Sequence, residues 1–186
     1  MLLLASVVAY NLGRGRTPLG AEPASQSPSA SASPSRTPAP APIAGLVASD
    51  LDPQGDPPSE NPELAPLAVD GDPATGWNTS TYTQNLGPAG LKTGVGLTVD
   101  LGSSREVSSV DVTVAGGATG VSVYVSDTDP SGVGGLRPAA TATVSTHRRL
   151  TLDTPATGRY VVVWLTSLPF TDGGYRGEVD EVAVRG

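Results

Sequence analysis

Alternation of apolar and polar residues with period two, broken at short intervals by Gly, Pro and Asp, constrains this chain more than any other feature. Leu97-Thr98-Val99-Asp100-Leu101, Val110-Asp111-Val112-Thr113-Val114 and Val121-Ser122-Val123-Tyr124-Val125 each send every second side chain to one face. That spacing suits a half-buried β-strand and makes no helical stripe. Ala140 to Val144 and Leu150-Thr151-Leu152 repeat it, and Val179, Val182 and Val184 close the chain in another strand. Arg159 to Leu168 is instead a continuous apolar run rich in β-branched and aromatic residues, which predicts a central strand covered on both faces. Gly116-Gly117, Asp129-Pro130-Ser131-Gly132, Gly134-Gly135, Thr154-Pro155 and Asp172-Gly173-Gly174 separate these runs and predict turns. Short strands at such intervals predict an all-β, antiparallel sandwich. Asn61-Pro62-Glu63 is the only good helix start, with Asn61 as N-cap, and Pro66 leaves room for barely one turn.

The alternation does not extend over the whole chain. Residues 2–10, Leu-Leu-Leu-Ala-Ser-Val-Val-Ala-Tyr, are continuously apolar or small. At 1.5 Å per residue they cover roughly 14 Å, about half of a hydrocarbon core, so they cannot span a bilayer alone. Arg14 and Arg16 follow the run rather than precede it, so it lacks the positive n-region of a signal peptide. Segment 1–20 therefore reads as a signal-like apolar stretch, as the last turns of a truncated transmembrane helix, or as a frayed apolar tail. By the positive-inside rule its two arginines argue for a cytoplasmic flank. Residues 21–44 follow, of which 19 of 24 are Pro, Ser or Ala. They cannot bury enough apolar surface to offset ordering, and predict a disordered, semi-stiff Pro/Ser/Ala-rich linker of the kind found in stalks outside a membrane. Residues 45–186 form one ordinary domain.

Charge follows the same division. Residues 1–44 carry three Arg and one Glu, and the remainder carries eight basic and 17 acidic residues, so the net −7 hides a +2 neck and a −9 head. An acidic head argues against binding nucleic acid through its backbone. With no Cys, disulfides, thiol catalysis and thiolate metal sites are excluded. His147 is the single histidine and has no evident partner as a general base. There is no G-x-S-x-G, H-E-x-x-H or P-loop motif, and we expect no enzyme.

Three blocks carry a family signal. Leu67-Ala68-Val69-Asp70-Gly71-Asp72-Pro73-Ala74-Thr75-Gly76-Trp77 has the form A-x-D-G-D-x-x-T-x-W. Leu97-Thr98-Val99-Asp100-Leu101-Gly102 precedes a valine-rich strand from Val107 to Val112. Arg159-Tyr160-Val161-Val162-Val163 and the closing Val179-Asp180-Glu181-Val182-Ala183-Val184 form the third. In order and spacing these blocks resemble the discoidin family of galactose-binding-like jelly rolls, which includes coagulation-factor C-type domains and many carbohydrate-binding modules. The resemblance implies an antiparallel jelly-roll β-sandwich over roughly residues 45–186. The whole arrangement is also similar to the extracytoplasmic C-terminal end of certain actinobacterial membrane-anchored kinase-like proteins linked to cell-wall precursor export.

Two sets of candidate site residues follow. The tight Asp70–Thr75 turn offers Asp70 and Thr75 side chains and the Asp72 carbonyl, all hard oxygens suited to calcium. The resemblance implies a structural Ca2+ in this loop, held by Asp70, Asp72 and Thr75 and completed by Glu181 from the last strand. The alternative is an Asp-rich turn that bonds its own backbone. Asp50–Gly55 and Asp127–Gly132 imitate the opening of an EF-hand loop but lack Glu at position twelve, and read as turns. For a sugar, Tyr82, Phe170 and Tyr175 are aromatics expected in loops, with Arg137 and Arg176 as hydrogen-bond donors. Trp77 and Trp164 fall in strand motifs and are expected to pack.

These observations predict a non-catalytic, extracytoplasmic binding module, membrane-anchored or secreted, that touches the membrane only through its N-terminal segment. The expected ligand is a cell-envelope carbohydrate such as peptidoglycan or a precursor. The alternative is a protein-interaction or structural domain serving a membrane protein partner, with no sugar ligand.

Overall fold

The computed structural model describes residues 39–186. The apolar segment 1–20 and the spacer through residue 38 lie outside the described residues, and with them every expectation attached to that region. Nine strands follow in order: β1 (Val47–Leu51), β2 (Trp77–Asn78), β3 (Val95–Ala115), β4 (Thr119–Ser126), β5 (Ala140–Val144), β6 (His147–Ser167), β7 (Phe170–Thr171), β8 (Gly174–Tyr175) and β9 (Glu178–Arg185). All pairings are antiparallel. One ladder runs β2-β9-β3-β6-β4-β5, with β1 added to β3, and β7 and β8 form a separate hairpin.

Runs expected as separate strands are fused. Leu97–Leu101 and Val110–Val114 both belong to β3, and Leu150–Leu152 joins Arg159–Ser167 in β6, so each is 21 residues long. The register shows why. Val95–Asp100 pairs with Tyr160–Leu165, while Ser109–Thr113 pairs with His147–Thr151, and irregularities fall between. In β3 the extra residues surround Gly102, whose φ of 77° suits glycine. In β6 they include Thr154-Pro155, expected as a turn, where a residue without an N–H costs the ladder nothing because the bulge leaves it unpaired. Each long strand thus bends at a bulge and serves two layers. One layer holds β1, the first half of β3, the second half of β6, β4 and β5; the other holds β2, β9 and the remaining halves. Arg159 grips Asp100 in a bidentate pair of 2.8 and 2.7 Å at the corner.

The core lies between the layers, built from the alternating residues read above: Leu97 and Val99, Val110 and Val112, Val121 and Val123, Val161, Val163 and Leu165, Val182 and Val184. The opposite side chains of β6, Val162 and Trp164, enter a second cluster with Leu51 and Tyr124, against which Val133 and Leu136 pack. The loop after β4 therefore covers the outer face of the first layer, which explains the unbroken apolar run in β6. Trp77 is fully buried and Trp164 nearly so.

Two local expectations change. The helical turn is a 3-10 segment, Ala65–Val69, entered through Leu64. Asn61 is not its cap: it takes φ 52° and its amide donates to Asn78 O at 2.7 Å. Pro66 stands in the first turn, where its missing N–H has no intrahelical partner to lose, so it starts the segment instead of ending it. At the N-terminal side, residues 41–43 share the composition of the spacer, yet Ala41 and Ile43 N–H donate to Gly186 and Val184 carbonyls at 2.9 and 2.8 Å and so belong to the folded unit. Among the described residues no helix is long and apolar enough to cross a membrane.

Leu97 is fully enclosed between the layers, so Leu97→Ala leaves a cavity and should cost about 2–5 kcal/mol. Chemical denaturation should show a lower midpoint with an unchanged slope. A loss under about 1 kcal/mol would mean that the layers close over the gap.

Candidate functional site

β1 and β6 end beside the start of β3, with Leu51 opposite Gly96 and Leu165 opposite Val95. The expected calcium loop is tied to β9 instead. Asp70 accepts Asp72 N–H at 2.8 Å and Thr75 Oγ1–H at 2.9 Å. Thr75 Oγ1 also lies 3.0 Å from Asp72 O, and Asp72 accepts Ala74 N–H at 3.0 Å. These are the local side-chain turns expected wherever Asp and Gly meet. Glu181 does reach the loop, accepting Gly71 N–H at 2.9 Å across 110 residues of sequence. A bulge between Glu181 and Val179 in β9 permits this, since Val179 and Val182 both stay in the core. Burial raises the Glu181 pKa above its ordinary value; the Gly71 bond opposes this, and Asp70 and Asp72 reinforce it. Asp70, Asp72, Thr75 and Glu181 are therefore brought together, and their oxygens suit a hard cation. Among the described residues, however, no three acidic or histidine side chains converge in a metal-holding arrangement. The Gly71 N–H occupies Glu181 Oε2, and a carboxylate has a second oxygen, Oε1, with which to meet an ion.

The expected aromatic residues meet around the β7–β8 hairpin. Its turn, Asp172 at φ 52° and Gly173 at φ 88°, is the double left-handed type that matches strand twist. Phe170 and Tyr175 stand opposite each other, ring centroids 5.2 Å apart at 78°, and Phe170 is 64% exposed. Tyr82 and Tyr175 exchange both backbone hydrogen bonds at 2.8 Å, tying the hairpin to the loop after β2. A groove of 440 Å³ opens beside Tyr175, walled by Gln84, Asn85, Leu86 and Ala89. Asn85 holds its wall by accepting Leu168 N–H at 2.7 Å and donating to Leu168 O at 3.1 Å. Arg176 is exposed next to the hairpin. Arg137 lies in the loop covering the first layer, beside Leu136, and lines neither the groove nor the hairpin.

Tyr82 has another role than the one expected. Its hydroxyl donates to Glu60 at 2.7 Å, and Lys92 sits 5.1 Å from its ring centroid. Lys92 donates to Asp52 at 2.5 Å and to Glu60 at 3.3 Å, and Glu60 also accepts the Ser80 N–H. Both carboxylates are almost fully enclosed. Burial would raise Glu60, but Ser80, Tyr82 and Lys92 overturn it and hold the carboxyl below its ordinary pKa. For Asp52 burial wins over Lys92, and its pKa is raised. Burial would lower Lys92; its bonds to Asp52 and Glu60 outweigh that and keep it charged. Burial and the Glu60 bond raise Tyr82, so the phenol stays protonated. This network joins the segments around Asp52, Glu60, Ser80–Tyr82 and Lys92. No sequence motif marks this network; its one local signal is that Lys92 is the only lysine in a chain with ten arginines.

On the outer face of the second layer, Asp111 accepts Arg149 at 2.7 and 3.0 Å and Arg185 at 2.8 Å. Burial opposes, but the two arginines hold Asp111 below its ordinary pKa. His147 is exposed, 3.9 Å from this occupied carboxylate, so nothing orients it as a base.

Comparison with known proteins places this geometry. The family model described as F5/8 type C domain matches residues 54–180. The family 32 CBM from C. perfringens NanJ, solved in complex with galactose, is 18% identical, with a TM-score of 0.56 over 80% of this chain and 100% of that one. The CBM32 of AlyQ, in complex with 4,5-unsaturated mannuronic acid, is 20% identical, with a TM-score of 0.52 over 78% of this chain and 97% of that one. A chitosan-binding module from a chitosanase/glucanase of Paenibacillus sp. IK-5 is 20% identical, with a TM-score of 0.50 over 77% of this chain and 96% of that one. These likenesses show the jelly-roll fold.

Lys92→Met would leave two enclosed carboxylates without their cation and should destabilise the domain by about 3–5 kcal/mol. Thermal or urea unfolding at neutral pH checks this. A loss below about 1 kcal/mol would show the network to be no more than a surface ion pair.

Proposed function

The chain belongs to the F5/8 type C (discoidin) family, and on that premise we propose that its folded part is a non-catalytic carbohydrate-binding module displayed outside the cytoplasm. The ligand in this reading is a cell-envelope glycan, peptidoglycan or a precursor of it, received at the loop end that carries the β7–β8 hairpin. One observation carries it: Phe170 is 64% exposed and is braced edge-to-face on Tyr175 beside an open groove. An apolar ring held rigid in solvent next to amide side chains is the chemistry that a pyranose needs, a face to stack on and neutral polar partners for its hydroxyls. Arg176 adds a donor at the rim. Arg137, placed on the first layer, has no part in this site. Solved relatives in complex with galactose or with an unsaturated uronic acid support a sugar ligand. The Pro/Ser/Ala spacer and the apolar N-terminal run support a module held off a membrane surface, as in the membrane-anchored kinase-like proteins that the chain resembles.

Titration of the full chain with muropeptides and with simple sugars, followed by calorimetry, tests this. Phe170→Ala should weaken glycan binding at least about tenfold, equivalent to 1.4 kcal/mol, without lowering the melting temperature. No heat at millimolar glycan would end the sugar reading and leave the hairpin as a surface for a membrane protein partner.

We further propose that the Asp70–Thr75 loop takes a structural Ca2+, with Asp70, the Asp72 carbonyl, Thr75 and Glu181 as its oxygens. In the absence of the ion Glu181 is held above its ordinary pKa. Such a carboxyl stabilises the fold fully below its unfolded pKa and loses that contribution as pH rises through the folded one. Calcium should reverse this, so its stabilising effect should grow from mildly acid to neutral pH. Melting with calcium and with chelator should differ clearly at neutral pH, and Glu181→Gln should remove the difference. Superimposable curves for the unaltered chain would exclude the ion.

A further inference from the structure

The two indole N–H groups of the chain are treated differently by the fold. Trp77 Nε1 donates to Glu60 O at 2.6 Å in the core, as an enclosed indole normally must. Trp164 is only 3% exposed, yet its Nε1 has no hydrogen-bond partner among the described residues. Trp164 lines a cleft of 320 Å³, together with Pro53, Gln54, Thr93, Ser131 and Val133.

Several features keep that cleft open and shaped. A Cβ at Gly94 would collide with the Trp164 indole nitrogen, so only glycine lets the backbone beside Thr93 pack directly on the indole edge and hold the ring in place. Gln54 Oε1 accepts both Thr93 N–H at 2.8 Å and Thr93 Oγ1–H at 2.7 Å. This fixes which way the amide faces and leaves its two N–H donors unused by Thr93. The far wall is the loop after β4, anchored on the first layer through Val133 and Leu136. No charged side chain lines the cleft; neighbouring Lys92 turns inward to Asp52.

We propose that this cleft is a second ligand site, taking one neutral pyranose unit through Trp164 Nε1, the Gln54 amide and Ser131, with Pro53 and Val133 against its apolar face. Phosphates and uronates are disfavoured because a buried anion without a cation is costly. A volume at the low end of small-molecule sites suits one sugar ring. The site shares no lining residue with the groove at Tyr175, so it goes beyond the hairpin reading and does not depend on it.

The test uses the 15N-labelled full chain, whose two tryptophans yield two indole cross-peaks. Trp164→Phe assigns them; should that variant not fold, nuclear Overhauser contacts from the Trp164 indole proton to Gly94 serve instead. Galactose, N-acetylglucosamine and glucuronate are titrated separately. The Trp164 indole should move saturably with at least one neutral sugar and stay still with glucuronate, while Trp77 does not move. Gln54→Ala should weaken the response about tenfold, and Phe170→Ala should leave it unchanged. A Trp164 peak that stays fixed throughout means the cleft holds water only and overturns the proposal. So does an equal response to glucuronate, or loss of the response in Phe170→Ala. Failure at the hairpin would appear separately, as absence of the Phe170-dependent heat.

Discussion

An antiparallel pair of strands that runs for 21 residues accumulates too much twist to remain in one flat layer. In β3 and β6 that strain is relieved at bulges, around Gly102 in one and around Thr154-Pro155 in the other. Because both bend, the same two strands supply the centre of both layers. Every other strand attaches to one half or the other, and the core is the space enclosed when the pair folds over. The Asp100–Arg159 bidentate pair sits at this corner, where backbone pairing lapses and a side-chain link can replace it.

The bend also decides where polar groups can be hidden. At the loop end a single lysine serves two enclosed carboxylates and a tyrosine. A cluster of this kind contributes less to stability than an apolar core of the same volume, but removing one member leaves the others stranded. Its consequence is positional. Segments distant in sequence, around Asp52, Glu60, Tyr82 and Lys92, are held in one arrangement, and the hairpin is tied to that arrangement through the Tyr82–Tyr175 backbone pair. Phe170, 64% exposed, thus stands in solvent with Tyr175 as its edge-to-face support, and Tyr175 is in turn tied to that arrangement.

Legibility differs between levels. The strands were readable because alternation is a local property, and the inward residues of β3, β4 and β9 are those the pattern indicates. Their fusion was not readable, since Thr154-Pro155 looks like a turn and only its place opposite β3 makes it a bulge. Asn61-Pro62-Glu63 misled in the same way: the residue types suit a cap, but Asn61 takes φ 52° and its amide is turned to donate to Asn78 O, and the 3-10 turn starts further on at Leu64. In the site, the Asp70–Thr75 loop with Glu181 and the grouping of Tyr82, Phe170 and Tyr175 came from motif and loop position. Arg137 did not join them, because the loop that carries it is drawn over the first layer by its neighbours Val133 and Leu136.

What the amino-acid order determined by itself was the β-class, the core faces and the family blocks, all set by spacing within a few residues. What tertiary structure alone decided was the use of each polar and aromatic group. Tyr82 is a hydrogen-bond donor to a buried carboxylate, Lys92 a tethered counter-ion, Trp77 a core residue with its N–H satisfied and Trp164 one whose N–H is left open. Those roles depend on which atoms lie within about 3 Å, and such distances are fixed only when strands far apart in sequence pair in one register.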